Sequence, residues 1–319
     1  MGESRLVFLF PGQASQKVGM GKDLCERFES ARRAFEEADD TLGSSISKLC
    51  FEGPMEELTQ TKNAQPAILL HSVVMARLLG EAALRPAAVA GHSLGEFSAA
   101  CAAGAFSLAD ALRIVRRRGE LMWDAGERAP GSMAAVVGLE RGRCEELCRE
   151  ISARGEGVVV VANLNSANQV VISGDRATVE RAAEPLKEAG ARRVMPLPVS
   201  GAFHSPLMEL VRGEFAAFLA EVDFQDIDLP LFNNVAAVPL REAGALRESF
   251  VRQLVSPVLW HDGVAAMVDA GLDRFVEAGP GNVLTNLGAR SFQTAQFFST
   301  SDAEGLEKVL AELADDGRE

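Results

Sequence analysis

The chain has 319 residues and a mass of 34.0 kDa, which is long enough for two domains or for one large α/β domain. Apolar residues make up 47 % of it and charged residues 24 %, and this composition excludes a disordered or collagen-like protein. The formal net charge of −13 argues against nucleic acid and anionic membranes as partners.

The largest group of predicted elements alternates strands with helices. An apolar run over residues 5–10, closed by Pro11 and Gly12, is typical of a buried parallel strand. Further apolar runs predict strands over residues 87–90, 229–232 and 274–277, and helical periodicity predicts helices over residues 63–84 and 108–123. Strands separated by helices predict a parallel sheet with both faces covered.

The middle of the chain follows a different order. Strands predicted over residues 133–137, 158–162, 170–173 and 193–197 enclose two amphipathic helices, the second of which Pro185 should kink or end. The order β-α-β-β-α-β is that of a ferredoxin-like unit. We therefore expect an α/β fold in which an α/β-hydrolase-like large domain, residues 1–130 and 201–319, carries an inserted ferredoxin-like small domain, residues 131–200.

Cysteine usage and hydropathy bear on the cellular compartment. The five cysteines are odd in number and scattered, unlike a disulfide framework, and this favours a reducing cytosol. No apolar run reaches the roughly 18 residues that a membrane span needs. The run before Pro11 is too short for a secretory signal peptide. The expected location is the cytoplasm.

The pentapeptide Gly91-His92-Ser93-Leu94-Gly95 matches G-x-S-x-G and stands between a predicted strand and a helix. In that setting the turn is strained, the two glycines keep it free of side chains, and Ser93 projects its hydroxyl at the helix N-terminus. Ser93 is then a nucleophile, with the Leu94 N–H as an oxyanion donor. The alternative is a glycine-rich turn whose serine only caps the helix.

A serine nucleophile needs a base, and the chain has four histidines. His92 should point away from the serine that follows it, His71 lies in an apolar helix, and His261 stands near a helix start. His204 lies in the loop that leaves the predicted small domain, where a site between domains would form. By elimination it is the candidate base, the alternative being a solvated loop histidine. No spacing singles out an acid that would orient it.

Three consecutive arginines lie on the helix predicted over residues 108–123. Arg117 points to solvent on the helical wheel, whereas Arg116 and Arg118 lie on the two borders of the apolar face. At its border, Arg118 either extends to solvent along its stem or binds a carboxylate with two N–H groups inside a cleft. A plain esterase has no need of the second arrangement.

The sequence predicts no cofactor or metal site. Gly279-Pro280-Gly281 follows a predicted strand, but Leu284 replaces the third glycine of a dinucleotide-binding motif, so a tight strand-to-helix turn suffices. Cys144 and Cys148 share a core-facing helix position with no partner ligands nearby, which argues against zinc.

Five motifs, taken together and in chain order, resemble those of one enzyme family. They are Phe10-Pro11-Gly12-Gln13-Ala14-Ser15-Gln16, Gly91-His92-Ser93-Leu94-Gly95-Glu96-Phe97, Arg118-Gly119, Gly201-Ala202-Phe203-His204-Ser205 and Val251-Arg252-Gln253-Leu254. The resemblance is to the malonyl-CoA:acyl-carrier-protein transacylases of bacterial fatty-acid synthesis, to which the acyltransferase domains of polyketide synthases are related.

The resemblance implies a role for each matching residue. Ser93 would carry the malonyl group as an ester, and His204 would be its base. Leu94 and Gln13 would supply the two backbone N–H groups of an oxyanion hole. The carbonyl oxygen of Gln253 would orient the histidine in place of an acid.

Other matches concern the substrate and its partners. Arg118 would bind the free carboxylate of malonate, Phe203 would wall the acyl pocket, and Asn163 would line the cleft from the small domain. The partners would be malonyl-CoA and acyl carrier protein, with no metal or bound cofactor. Ala14 departs from the family pattern, which has glycine there, and this could tighten the loop around Gln13.

Three alternatives stay open. A serine thioesterase or esterase would use the same Ser93–His204 pair with water as the acceptor. A trans-acting acyltransferase would serve a polyketide synthase instead of fatty-acid synthesis. A non-catalytic carrier-binding module would keep the fold and lose the chemistry.

Overall fold

The computed structural model describes residues 5–199 and 201–315, and its strands divide between two sheets. The strands are β1 (Leu6–Phe10), β2 (Ala88–Gly91), β3 (Gly131–Val137), β4 (Val159–Ser166), β5 (Gln169–Asp175), β6 (Arg193–Pro196), β7 (Leu231–Phe232), β8 (Pro239–Leu240), β9 (Arg274–Glu277) and β10 (Gln296–Ser299). The first helices are α1 (Lys22–Arg27), α2 (Glu29–Leu42), α3 (Ile46–Glu52), α4 (Met55–Thr59), α5 (Thr61–Glu81), α6 (Leu94–Ala103) and α7 (Leu108–Arg128). The later helices are α8 (Arg141–Ser152), α9 (Arg176–Glu188), α10 (Glu209–Ala220), α11 (Ala243–Gln253), α12 (Trp260–Asp269), α13 (Val283–Ser291) and α14 (Ala303–Asp315). Within the described residues, no helix is both long and apolar enough to cross a membrane.

The larger sheet has the strand order β10-β9-β1-β2-β7-β8 and is parallel except for the β7–β8 pair. Its central strand β1 is buried along its whole length. Successive residues of this strand point into opposite cores, Phe8 and Phe10 toward α5 and α6, and Val7 and Leu9 toward α12 and α13. The predicted parallel sheet with both faces covered is therefore confirmed.

Four strands of this sheet follow the sequence pattern, although β7 is only two residues long. The pattern does not predict the two edge strands. β8 has two residues, too few for any periodicity, and β10 begins with an exposed glutamine and is otherwise half-buried. The continuous apolar runs that predict buried strands are therefore confined to the middle of the sheet.

The smaller sheet is antiparallel with the order β4-β5-β3-β6, and α8 and α9 bury a separate apolar cluster with it. The predicted order β-α-β-β-α-β is confirmed. The sequence predicts that Pro185 kinks or ends the second helix; it does not end it, because α9 continues to Glu188. The buried side chains of Ala182 and Leu186 fix the helix on both sides of the proline.

One strand of the smaller sheet is also hydrogen-bonded to the chain that leads into α12. Asn163 in β4 forms a parallel bridge with Val258. The Leu164 N–H donates to the Val258 carbonyl at 2.9 Å, and the Val258 N–H donates to the Ala162 carbonyl at 2.8 Å. These bonds place the second half of β4 beside the start of α12.

Candidate active site

The turn from β2 into α6, residues 91–95, is the elbow of the site. Ser93 has a φ of 51° and a ψ of −103°, a conformation that few residues other than glycine adopt. A Cβ on Gly91 would lie 1.9 Å from the carbonyl carbon of Gly95, and a Cβ on Gly95 would lie 1.9 Å from the Phe10 oxygen. The backbone is thus too close for any side chain at either glycine, and the serine hydroxyl stands at the N-terminus of α6.

The imidazole of His204 lies against the Ser93 hydroxyl. Ser93 Oγ and His204 Nε2 are 2.7 Å apart, and His204 Nδ1 lies 2.8 Å from the Gln253 carbonyl oxygen. Because a carbonyl only accepts hydrogen bonds, Nδ1 carries the proton and Nε2 presents its lone pair to the hydroxyl. Burial, and then the nearby charge of Arg118, lowers the pKa of His204 to about 3, so the imidazole is neutral at physiological pH.

Arg118 reaches the same hydroxyl from α7 and is only 1 % exposed. Its Nη2 donates to Ser93 Oγ at 3.1 Å and to Gln253 Oε1 at 2.9 Å, and its Nη1 donates to Gln65 Oε1 at 2.9 Å. Of the two orientations that the helical wheel allows, the side chain has the buried one. Burial lowers the pKa of Arg118 to about 9 while the Glu96 carboxyl opposes that effect, so the guanidinium is charged at pH 7.

Two backbone segments border the elbow. Leu94 is the first residue of α6, so its N–H has no carbonyl acceptor within the helix. The loop after β1 packs on the elbow, since a Cβ on Gly12 would lie 2.7 Å from the His92 carbonyl oxygen, and Gln13 follows in that loop. Ala14, at the position of the family's glycine, has a φ of 79°, in the left-handed region that glycine adopts without strain.

Comparison with known proteins identifies the family of this chain. Residues 7–309 match the family described as acyl transferase domain. The chain belongs to the acyl transferase family. It is 41 % identical over 313 residues to the malonyl CoA-acyl carrier protein transacylase of Bacillus subtilis (strain 168), and this covers 98 % of each chain.

Solved structures of other acyltransferases have the same fold. An acyl carrier protein S-malonyltransferase from Vibrio cholerae O1 biovar eltor superposes with a TM-score of 0.92 at 40 % identity, covering 96 % of this chain and all of that one. A malonyl-transacylase in complex with its type II polyketide acyl-carrier protein superposes with a TM-score of 0.93 at 38 % identity, covering 97 % and 100 %. The resemblance seen in the motifs is confirmed.

For Asn163 and Phe203, the part of the chain that the structure describes shows backbone pairing and core packing and no contact that would assign them to substrate binding. Asn163 is bridged to Val258 through its backbone. The side-chain contact from β4 to the elbow comes from Asn165, whose Oδ1 lies 2.8 Å from His92 Nε2. Phe203 is 5 % exposed and packs in the main core. The substrate-binding roles of Asn163 and Phe203 stay predictions.

The acyltransferase site also contains Gln65, Glu96 and Asn234, which the sequence patterns do not single out. Glu96 is fully buried in α6, where one carboxylate oxygen accepts from Gln253 Nε2 at 2.6 Å and from the Asn234 N–H at 3.2 Å. Burial raises the pKa of Glu96 to about 7, outweighing the hydrogen bonds that lower it. Glu96 could have been found from the sequence, because it lies three residues after Ser93 in the same helix. Asn234 could not, because 141 residues separate it from Ser93 in the chain.

Proposed function

We propose that this acyltransferase moves a malonyl group from CoA to the phosphopantetheine thiol of an acyl carrier protein, through an ester on Ser93. One observation carries the choice of substrate, namely that the buried guanidinium of Arg118 lies 3.1 Å from the Ser93 hydroxyl oxygen. A fixed cation beside the acylated oxygen suits an acyl group that ends in a carboxylate. The printed names of the relatives support the same substrate and acceptor.

The first half-reaction forms the ester. His204 Nε2 accepts the Ser93 proton as Oγ attacks the thioester carbonyl carbon of malonyl-CoA. The backbone N–H groups of Leu94 and Gln13 donate to the oxygen that becomes negative. The C–S bond then breaks and His204 returns the proton to the departing CoA sulfur. The Gln253 carbonyl keeps Nδ1 protonated throughout, in the place of the acid of a triad.

The second half-reaction reverses these roles. The carrier thiol gives its proton to His204 as its sulfur attacks the ester carbonyl carbon, and the bond to Ser93 Oγ breaks. His204 then returns the proton to the serine oxygen, so the free enzyme is restored. The cycle is ping-pong, and none of its steps calls for a metal or a bound cofactor.

We assign the acyl pocket to the junction of a large domain, residues 1–130 and 201–319, with an inserted small domain, residues 131–200. Asn163 would line the pocket from the small domain, and Phe203 would wall it beside the malonyl α-carbon. The enzyme would work in the cytoplasm, a proposal supported by five cysteines that are all free in the structure.

Intact-mass spectrometry after brief exposure to malonyl-CoA tests the nucleophile. The wild-type protein should gain the mass of one malonyl group and lose it when holo carrier protein is added. Ser93→Ala should keep the fold and gain no mass, because the substitution removes one oxygen from a half-buried turn. A Ser93→Ala protein that still gained the malonyl mass would place the nucleophile elsewhere.

The acceptor needs a second measurement. Without carrier protein, a thioesterase would release free malonate continuously, whereas the proposed transferase should hold the ester and release malonate slowly. We propose that the natural acceptor is the carrier of fatty-acid synthesis. Comparing kcat/KM for that carrier with kcat/KM for a polyketide carrier tests this choice, and a preference for the polyketide carrier would overturn it.

A further inference from the structure

The backbone of the elbow is held by a side chain that contacts neither the Ser93 hydroxyl nor the His204 imidazole. Asn234 lies in the turn that follows β7 and is 2 % exposed. Its Oδ1 accepts from the Ser93 N–H at 2.7 Å, and its Nδ2 donates to the Gly91 carbonyl at 2.7 Å. One amide group therefore ties together the two backbone positions between which the chain reverses.

The elbow requires such a brace because its conformation is unfavourable by itself. Positive φ at a residue with a Cβ costs on the order of 1–3 kcal/mol and persists only where surrounding contacts hold it. The Ser93 N–H lies outside α6, so it has no helical acceptor. Asn234 supplies the missing acceptor and, with its other amide atom, fixes the strand end.

Asn234 is itself held by the buried groups around the base. Its own N–H donates to the Glu96 carboxylate oxygen that also accepts from Gln253 Nε2. The same Gln253 Nε2 lies 2.9 Å from the Ser93 carbonyl oxygen, and the Gln253 carbonyl orients His204. The position of the nucleophile and the position of its base are thus set by one connected set of hydrogen bonds.

We propose that Asn234 is a positioning residue, which keeps Ser93 Oγ within hydrogen-bonding distance of His204 Nε2 by holding both sides of the elbow. This inference rests on the proposed role of Ser93 as the nucleophile. Asn234 makes no contact with the reacting atoms, so its effect should fall on kcat and leave KM for malonyl-CoA nearly unchanged.

The first test is Asn234→Leu, which has a similar size and no hydrogen-bonding atoms. Misplacement of a reacting atom by about 1 Å costs on the order of 100-fold in rate, so kcat for malonyl transfer should fall by about that factor. The matched control is Asn233→Ala in the same turn, because among the described residues the Asn233 side chain accepts from the Ala236 N–H at 2.8 Å and not from the elbow. The control should lose some thermal stability and keep the wild-type kcat.

The second test is Asn234→Asp, which separates positioning from simple destabilisation. An ionised carboxylate accepts from the Ser93 N–H but has no proton for the Gly91 carbonyl, whereas a protonated carboxyl makes both bonds. The charged or titratable groups around this position are common to variant and wild type, and they are Glu96, Arg118, His204 and His92, which stands between Gly91 and Ser93. The ratio of variant to wild-type kcat should therefore rise as the pH is lowered.

The outcomes distinguish this inference from the proposed function. After long exposure to malonyl-CoA, Asn234→Leu should still accumulate one malonyl group, whereas Ser93→Ala should not. If Asn234→Leu fails to fold, the pH response of Asn234→Asp decides alone. A wild-type kcat in folded Asn234→Leu, or a pH-independent ratio for Asn234→Asp, would overturn the positioning role, while a wild-type protein that never acquires malonyl would overturn the function itself.

Discussion

Two strand-to-helix turns of the larger sheet have the same topology but differ in what caps the N-terminus of the helix that follows. The elbow joins β2 to α6, and a second glycine-rich turn joins β9 to α13, on the other side of β1. In the second turn the Glu277 carboxylate accepts from the N–H groups of Leu284 and Thr285, at 3.1 and 2.8 Å. In the elbow no side chain caps α6, although Ser93 occupies the capping position.

The difference between the two helix starts supports the proposal that the elbow, and not the second turn, carries the reaction. The N-terminus of a helix carries a partial positive charge and N–H groups without helical acceptors. At the start of α13 the Glu277 carboxylate from the preceding strand accepts from two of these N–H groups and occupies the place that another anion would take. At the start of α6 the N–H groups of Gly95 and Glu96 donate to the carbonyls of His92 and Ser93. The Leu94 N–H would then be the donor for negative charge that appears only during the proposed reaction. Changes at the elbow should therefore alter rate, and changes at Glu277 should alter stability.

The largest expected effect at the elbow comes from the base. His204→Ala should slow acylation of Ser93 by about 10²- to 10⁴-fold, because the nucleophile loses its proton acceptor. Rapid-quench intact-mass measurements at neutral pH give this rate. His261→Ala is the control, since that imidazole is half-buried and stacks on Phe292 with ring centroids 5.0 Å apart. An unchanged acylation rate in His204→Ala would make the histidine a structural loop residue.

Arg118 adds a second difference between the two turns, because its guanidinium donates to Ser93 Oγ in the elbow. Removing one partner of a buried charge pair costs ~2–5 kcal/mol, so Arg118→Ala should lower kcat/KM for malonyl transfer by roughly thirty- to several-thousand-fold. Acetyl transfer should stay level or rise, because acetyl has no carboxylate. Arg117→Ala is the matched control, since its guanidinium pairs with Glu120 and Glu214 at the half-buried edge of the helix. Equal losses for both acyl groups would assign Arg118 a structural role.

Glu277→Gln tests the turn between β9 and α13, where the carboxylate caps the helix. The amide keeps one acceptor and faces the second N–H with a donor, so the free energy of unfolding should fall by about 1–3 kcal/mol. Urea denaturation measures that loss, and kcat/KM should stay near the wild-type value. Glu248→Gln, on an exposed side chain, should change stability by less than about 0.5 kcal/mol. If Glu277→Gln lost activity and kept its stability, the assignment of Glu277 to stability and of the elbow to rate would be wrong.

The smallest expected effect concerns Phe203, which we propose as a wall of the acyl pocket. Phe203→Ser should improve methylmalonyl transfer relative to malonyl transfer, because a smaller side chain leaves room for the extra methyl group. The gain should be modest, since one methyl in a pocket contributes only about 1–3 kcal/mol. The ratio of kcat/KM for the two substrates is the measurement, and an unmoved ratio would place Phe203 outside the pocket.

The two turns also show how far the sequence predicts the site. Glycine spacing and the neighbouring elements predict the elbow and its serine, because these depend on local geometry. The role of Glu277 is not predicted, since its carboxylate lies several residues before the helix that it caps. The helical wheel places Arg118 on a border, but only the packing of α5 and α6 against α7 decides that it is buried.

Long-range contacts account for most of what the sequence leaves out. The roles of Gln253 and Gln13 follow only from resemblance to the family, and Asn234 follows from neither pattern nor resemblance. In the fold, continuous apolar runs predict the central strands, whereas the half-exposed edge strand β10 gives no comparable signal. Propensity also fails to place the end of α9, which continues past Pro185 between buried neighbours.

The hydrogen bonds between β4 and the segment before α12 have a consequence for the motion of the molecule. Because β4 belongs to the smaller sheet and Val258 to the chain that follows Gln253, the smaller sheet cannot swing away unless these bonds break. The amide protons of Leu164 and Val258 can exchange with deuterium only when these bonds open. Their exchange rates in heavy water therefore report how often β4 separates from the segment before α12.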